Sequence, residues 1–157
     1  MFLYIISDMK IVLTTVKSAS VTIDKKIVGQ ISRGYLLLVG FTHNDTKEIV
    51  DKMIDKLLPL RLFNDENGLT NLSLYDVNGD ILSVSQFTLY ANLKKGRRPS
   101  FVDAMNPSFA KELYEYFNEQ LELKYRPIQR GVFGADMLVE SINDGPFTII
   151  LDSEVIL

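Results

Sequence analysis

Cysteine is absent from this chain of 157 residues, and histidine occurs once, at His43. These two scarcities exclude a Cys-His nucleophile pair, a structural zinc cluster and a multi-histidine metal site. Neither a metal nor an organic cofactor is expected. Without cysteine there is no disulfide framework, which is compatible with a reducing cytoplasm. No run approaches the roughly 20 apolar residues that a membrane-crossing helix needs, so no membrane partner is expected. The apolar segment Met1 to Ile6 is closed by Ser7 and Asp8, short of the roughly 7–15 residue core of a signal peptide, and no basic segment precedes it. Residues 1–8 therefore read as an N-terminal extension and not as an export signal, and residues 9–157 as a single domain. With 46% apolar and 24% charged residues and no repeat, that domain is expected to bury an ordinary core.

A formal net charge of −3 argues against a broadly basic surface, so DNA is not an expected partner. Positive charge is concentrated instead, with Lys94, Lys95, Arg97 and Arg98 sharing a five-residue window with Gly96. Taken alone, such a run is a solvated turn.

The first part of the chain reads as strands: Lys10 to Lys17, Ser20 to Ile23, Ile27 to Ile31 after the turn Asp24-Lys25-Lys26, and the run Tyr35 to Phe41. Leu36 to Val39 does not alternate, which predicts burial on both faces. Ile49, Val50, Met53, Ile54, Leu57 and Leu58 recur at helical spacing, with Asp45 and Glu48 as the capping pair and Pro59 as the stop. Leu60 to Phe63 is a short strand. Asn78-Gly79 is a turn between Leu74-Tyr75-Asp76-Val77 and a strand from Ile81 to Thr88. Asn106-Pro107 opens a second helix that buries Phe109, Ala110, Leu113, Tyr114, Phe117 and Leu121. On its other face Lys111 and Glu115 can pair. Met137 to Ile142 and Phe147 to Leu151 are expected to close the sheet as a pair around Asn143-Asp144-Gly145-Pro146. The fold class is α/β, a largely antiparallel, barrel-like sheet with two main helices packed against it.

Two segments carry small hydroxyls and backbone groups beside strand ends: Ser85-Gln86-Phe87-Thr88 and Gly145-Pro146-Phe147-Thr148. On an unbroken strand Ser85 and Phe87 point one way and Gln86 and Thr88 the other. A purely structural reading makes Phe87 core and Gly145-Pro146 an ordinary turn. Phe133 and Met137 are suited to the wall of an adenine pocket, although both could equally be core. His43 reads as a polar turn or cap residue, and Tyr90, Tyr114 and Tyr116 as structural.

Together these segments resemble the D-aminoacyl-tRNA deacylases, whose paired signatures are Ser-Gln-Phe-Thr and Gly-Pro-x-Thr. Ala19-Ser20-Val21, Gly34 to Gly40, Leu60 to Phe63, Lys95 to Phe101 and Phe133 to Met137 follow in the same order, from about Met9 to Ser153. The resemblance implies hydrolysis of the ester between a D-amino acid and tRNA, and of glycyl-tRNA as well, because a backbone filter cannot reject a residue without a side chain. It implies a pocket for the terminal adenosine at Ser85 to Thr88, with Phe87 against the base and backbone N–H groups facing the developing oxyanion. It also implies a homodimer with active sites at the subunit interface, in which a cis Gly145-Pro146 reaches into the neighbouring pocket and excludes L side chains. Beside this site, Lys94, Lys95, Arg97 and Arg98 become phosphate contacts for weak, salt-sensitive tRNA binding.

The candidate catalytic residues are Ser85, Gln86 and Thr88; Thr88 lacks a recognisable base, so for it a positioning role ranks ahead of covalent catalysis. Two positions depart from the family pattern. Thr15 stands where an arginine is usual, and it cannot make the same forked hydrogen bonds. Phe147 replaces a small aliphatic residue. Both bear on the chiral filter more than on hydrolysis. The alternative function is a module of the same fold that grips an aminoacylated tRNA end without cleaving it.

Overall fold

The computed structural model describes residues 8–157, so the readings made for residues 1–7 lie outside the described residues. In chain order the elements are β1 (Lys10–Ile23), β2 (Lys26–Ile31), β3 (Gly34–Gly40), α1 (Lys47–Leu57), β4 (Arg61–Asn64), β5 (Thr70–Ser73), α2 (Leu74–Val77), β6 (Asp80–Ser85), α3 (Pro107–Lys124), β7 (Gln129–Arg130), β8 (Leu138–Asp152) and α4 (Ser153–Ile156).

The two strands expected between Lys10 and Ile23 are one. Ser18 and Ala19 pair with Ile142 and Ser141 of β8, so β1 runs unbroken for 14 residues. It is the spine of the sheet. One edge pairs first with β3 and then with β2, and the other edge pairs with β8 along nearly its whole length. The β1–β2 hairpin turns on Asp24 and Lys25, both at positive φ, as a tight two-residue connection requires.

The sheet order is β2-β1-β3-β6-β7, with β8 on the far side of β1. Pairings of β3 with β6 and of β6 with β7 are parallel, so the sheet is mixed where a largely antiparallel one was expected. The connections explain this. Parallel neighbours need a long crossover, and α1 with the β4–β5 hairpin supplies one while α3 supplies the other. Strand β2 lies against β6 and β7, which curls the sheet into a nearly closed barrel.

Both faces of β3 are covered. Tyr35, Leu37 and Val39 join the core shared with α1 and α3, while Leu36 packs inside the barrel with Val16, Val21, Leu82 and Val84. Helix α1 buries Val50, Met53, Ile54 and Leu57 as its spacing predicted. Its cap is Thr46, whose hydroxyl accepts from the Ile49 N–H; the Asp45 carboxylate instead accepts from the Thr42 N–H at 2.7 Å. Helix α3 opens at Asn106-Pro107, and Lys111 and Glu115 stand 4.0 Å apart. Phe109 is not buried. The buried stripe runs through Ala110, Leu113, Tyr114, Phe117, Asn118 and Leu121, and Phe109, at its margin in the first turn, is 62% exposed.

One helix goes beyond the sequence reading, and two further expectations are corrected. Leu74 to Val77 forms a short helix because Ser73 and Asp76 close a capping box, and Asn78 at φ 52 ends it. Strand β6 stops at Ser85, short of Thr88. The segments on either side of Asn143 to Pro146 do not pair with each other. Leu138 to Ile142 lies against Thr22 to Ser18, and Thr148 to Asp152 against Thr14 to Lys10, so both belong to one antiparallel strand with a bulge. Four small and main helices are present in all among the described residues.

At the start of the fold, Asp8 is pushed up from 3.8 to about 6, chiefly by burial and then by its hydrogen bond to Asp152 and that residue's charge; Lys10, 3.6 Å away, opposes this. A carboxyl with a raised folded-state pKa binds its proton more tightly folded than unfolded. Its contribution therefore favours the fold below 3.8 and is lost as pH rises through about 6. Asp8→Asn removes this titration. Its stability relative to the wild type, measured by urea unfolding, is expected to rise across that window and then level off.

Candidate active site

The parallel pair β3–β6 ends with Val39 opposite Ser85, and the Gln86 N–H closes the ladder by donating to the Val39 carbonyl at 2.7 Å. The chain then winds into a 3₁₀ turn over Phe87–Tyr90. The alternation expected for Ser85 to Thr88 is thus broken after Ser85. Gly40 makes the turn possible, because a Cβ there would meet the Gln86 carbonyl oxygen and the Tyr90 ring, each at 2.9 Å. Tyr90 fastens the turn from below, its buried hydroxyl directed to the carbonyls of Gly40, at 3.0 Å, and Asp8. Burial raises the Tyr90 pKa, so the phenol stays protonated and structural.

Above this turn lies a cavity of about 600 Å³, in the range of small-molecule sites. Ser85, Gln86, Phe87, Phe133 and Met137 line it, bringing together two segments far apart in sequence. Phe133 and Met137 also rest against core residues, so each has one face in the core and one on the cavity. Phe87 is 56% exposed and meets Phe101 edge to face at 5.0 Å.

Sequence reasoning missed one wall. Phe101 to Pro107 borders the cavity, held by Phe41 to His43: the Met105 N–H donates to the Phe41 carbonyl at 3.1 Å, Thr42 donates to Asp103, and His43 Nε2 donates to the Val102 carbonyl at 2.6 Å. His43 therefore lies in a turn, one of its two expected settings, at the cavity rim, and is not the helix cap. Phe101 lies three residues beyond the basic window, which was the available signal; for a cavity role of His43 there was none.

Other candidates lie elsewhere. Thr88 does not line the cavity; its hydroxyl accepts from the Gln86 side-chain amide. Gly145 and Pro146, joined by a cis peptide, are exposed on the β8 bulge away from their own chain's cavity. Lys94, Lys95, Arg97 and Arg98 sit on an exposed loop whose ends are tied by Asn92 and Ser100, with N–H to carbonyl distances of 2.7 and 3.0 Å. None of the four makes an ion pair with another described residue. Among the described residues the grouping dense enough to offer several metal ligands is Asp8, Asp152 and Glu154, outside the cavity lining and engaged by Lys10. No helix among the described residues is long and apolar enough to cross a membrane.

A fold with this sheet, and a cavity at the β3–β6 ends lined by Ser85 to Phe87, has clear relatives. The family described as D-Tyr-tRNA(Tyr) deacylase matches residues 12–152. The D-aminoacyl-tRNA deacylase of Lactobacillus gasseri is 58% identical over 92% of this chain and 99% of its own length, and that of Lactobacillus acidophilus 56% over the same shares. Among solved structures, the c-Myc DNA unwinding element binding protein superimposes with a TM-score of 0.85 at 43% identity, covering 90% of this chain and 97% of that one. A probable eukaryotic D-amino acid tRNA deacylase gives 0.79 at 19% identity, covering 92% and 99%, a likeness of fold alone. The chain belongs to the D-Tyr-tRNA(Tyr) deacylase family. A deacylase of this kind is a hydrolase acting on an ester bond, which makes the chain an enzyme.

Proposed function

We propose that residues 9–157 form one deacylase domain that removes D-amino acids, and glycine, from the 3′ end of tRNA in the cytoplasm as chiral proofreading. The observation that carries this reading is the cavity at the β3–β6 ends, bounded by Ser85 to Phe87 on one side and Phe133 with Met137 on the other. Phe87, half of its surface open, offers a face for the terminal adenine. The N–H groups of Phe87, on the cavity lining, and of Thr88, next to it in the chain, open the 3₁₀ turn and have no acceptor inside it, which suits them to the oxyanion of an ester bound at the turn. Water adds to the ester carbonyl, the tetrahedral oxyanion rests on these donors, and collapse expels the ribose oxygen, which takes up the proton lost by the water. The neighbouring ribose hydroxyl assists that transfer. No protein base is required.

Gln86 and Thr88 then act by position, their side chains joined by a hydrogen bond at the turn. Thr88→Ala is expected to slow single-turnover cleavage by no more than about a hundredfold, the scale of a misplaced reacting group. A fall of about 10⁶, the scale of losing a covalent nucleophile, would reject this role.

The L-rejecting filter is assigned to Gly145-Pro146 of a second copy. Their exposure away from their own cavity supports this, as does the unpaired outer edge of β8, where Leu138, Ile142 and Ile150 lie exposed. The basic loop would hold phosphates near the acceptor end of the tRNA. Release of D-tyrosine from excess D-Tyr-tRNA tests the reading. Many turnovers per protein support it, whereas tight binding without turnover establishes the non-hydrolytic module.

A further inference from the structure

We propose that Thr15 is the positioning residue of the Gly145-Pro146 element and sets its chiral selectivity; this rests on reading that element as the filter. The register of β1 against β8 isolates the position. Thr14 pairs with Thr148 and Val16 with Asn143, so one residue of β1, Thr15, faces four residues of β8, Asp144 to Phe147. No ladder pair joins those four to β1. Their attachment falls to the Thr15 hydroxyl, which donates to the Asp144 carbonyl at 2.8 Å and lies 3.5 Å from the Phe147 carbonyl, the two ends of the bulge. One buried hydroxyl thus ties the Asp144 foot of the loop that presents Gly145-Pro146 and lies close to the Phe147 foot.

The side chain is well suited to that task. Thr15 is 4% exposed, so the hydrogen bond is shielded from competing water, and its β-branched side chain is stiff at χ1. The adjacent Thr14 and Thr148 hydroxyls lie 3.1 Å apart and fasten the strand just beyond the bulge, not the bulge itself. Where the family's usual arginine would reach with a fork, this chain closes the gap with a short hydroxyl directly beneath the loop. Without the hydroxyl the four residues would sample positions that no longer crowd an L side chain, while the Ser85 to Thr88 turn would be untouched.

Hydrolysis of D-Tyr-tRNA and L-Tyr-tRNA should be measured for wild type, Thr15→Val, Thr15→Ser and Thr14→Val, with a thermal melt of each. Thr15→Val, which keeps shape and loses the donor, is expected to lower the D-to-L ratio of kcat/KM about tenfold, the factor that one hydrogen bond of ordinary net strength supplies. Thr15→Ser is expected to restore the ratio, and Thr14→Val to leave it unchanged. A wild-type ratio in Thr15→Val overturns the proposal. An equal fall in Thr14→Val also overturns it, since the effect would then be general loosening of the strands. If Thr15→Val does not fold, Thr15→Cys, a weak donor of similar size, decides between the same two results. A wild type that cleaves D and L substrates equally would instead mark failure of the filter reading.

Discussion

Gly145→Ala is expected to lower D-Tyr-tRNA cleavage by about a hundredfold or to erase the preference for D over L, with little change in thermal stability. Gly145 sits at φ 125, in the region reserved for glycine, and a Cβ would stand 2.9 Å from the Phe147 nitrogen and 3.2 Å from the Phe147 Cβ. The alanine costs about 1–3 kcal/mol if the loop holds its shape, so the loop will change shape instead. Because the bulge is exposed and tied down at Thr15, that change stays local. Steady-state kinetics on both substrates, beside a thermal melt, would check the outcome. A melt that collapses together with activity would show that the loop is part of the core support, contrary to its exposed setting.

Gly34→Ala is expected to have the opposite signature, loss of the fold and of all activity together. A Cβ on Gly34 would lie 1.9 Å from the Asp80 carbonyl oxygen and 2.6 Å from the Asp80 carbon and nitrogen. All three are backbone atoms, so no side chain can rotate away. Gly34 and Asp80 begin the parallel β3–β6 pairing whose far end places Ser85 beside Val39. Separating the strands costs at least about 3 kcal/mol, the upper part of the usual overpacking range, against a total stability of roughly 5–15 kcal/mol. Urea unfolding would show the midpoint falling sharply or no cooperative transition at all. Retention of a wild-type midpoint would mean that β3 and β6 are not so tightly apposed.

Much of this arrangement could be read from residue patterns, and the parts that could not share a physical cause. Helices α1 and α3 declared themselves through apolar spacing and, for α3, through Asn106-Pro107. The unbroken run in β3 foretold its burial on both faces. The motif residues Ser85, Gln86, Phe87, Phe133 and Met137 line one cavity. Features set by partner strands stayed hidden. The continuity of β1 and the bulge in β8 depend on each other's register, and a turn-like sequence such as Asn143 to Pro146 is identical in a hairpin and in a bulge. His43 and the wall from Phe101 to Pro107 meet through hydrogen bonds across more than fifty residues, with no local signature. Helix α2 had its signal in the capping box of Ser73 and Asp76, which was not read from the sequence. Thr15 could be seen only as a missing arginine until its hydroxyl was placed beneath Asp144.

Function divides along the same line. On the proposed reading, hydrolysis would belong to backbone at the β6 end and chirality to backbone on β8, so that substitution should separate the two. Side-by-side hydrolysis of D-Tyr-tRNA and L-Tyr-tRNA at low enzyme and in the presence of a chelator tests this most directly. D-tyrosine is predicted to be released at least about a thousandfold faster than L-tyrosine, beyond the roughly 10–200-fold that one methylene in an apolar pocket supplies and suited to exclusion by fixed polar atoms. Equal rates for the two, or binding of D-Tyr-tRNA without release of D-tyrosine, would contradict it.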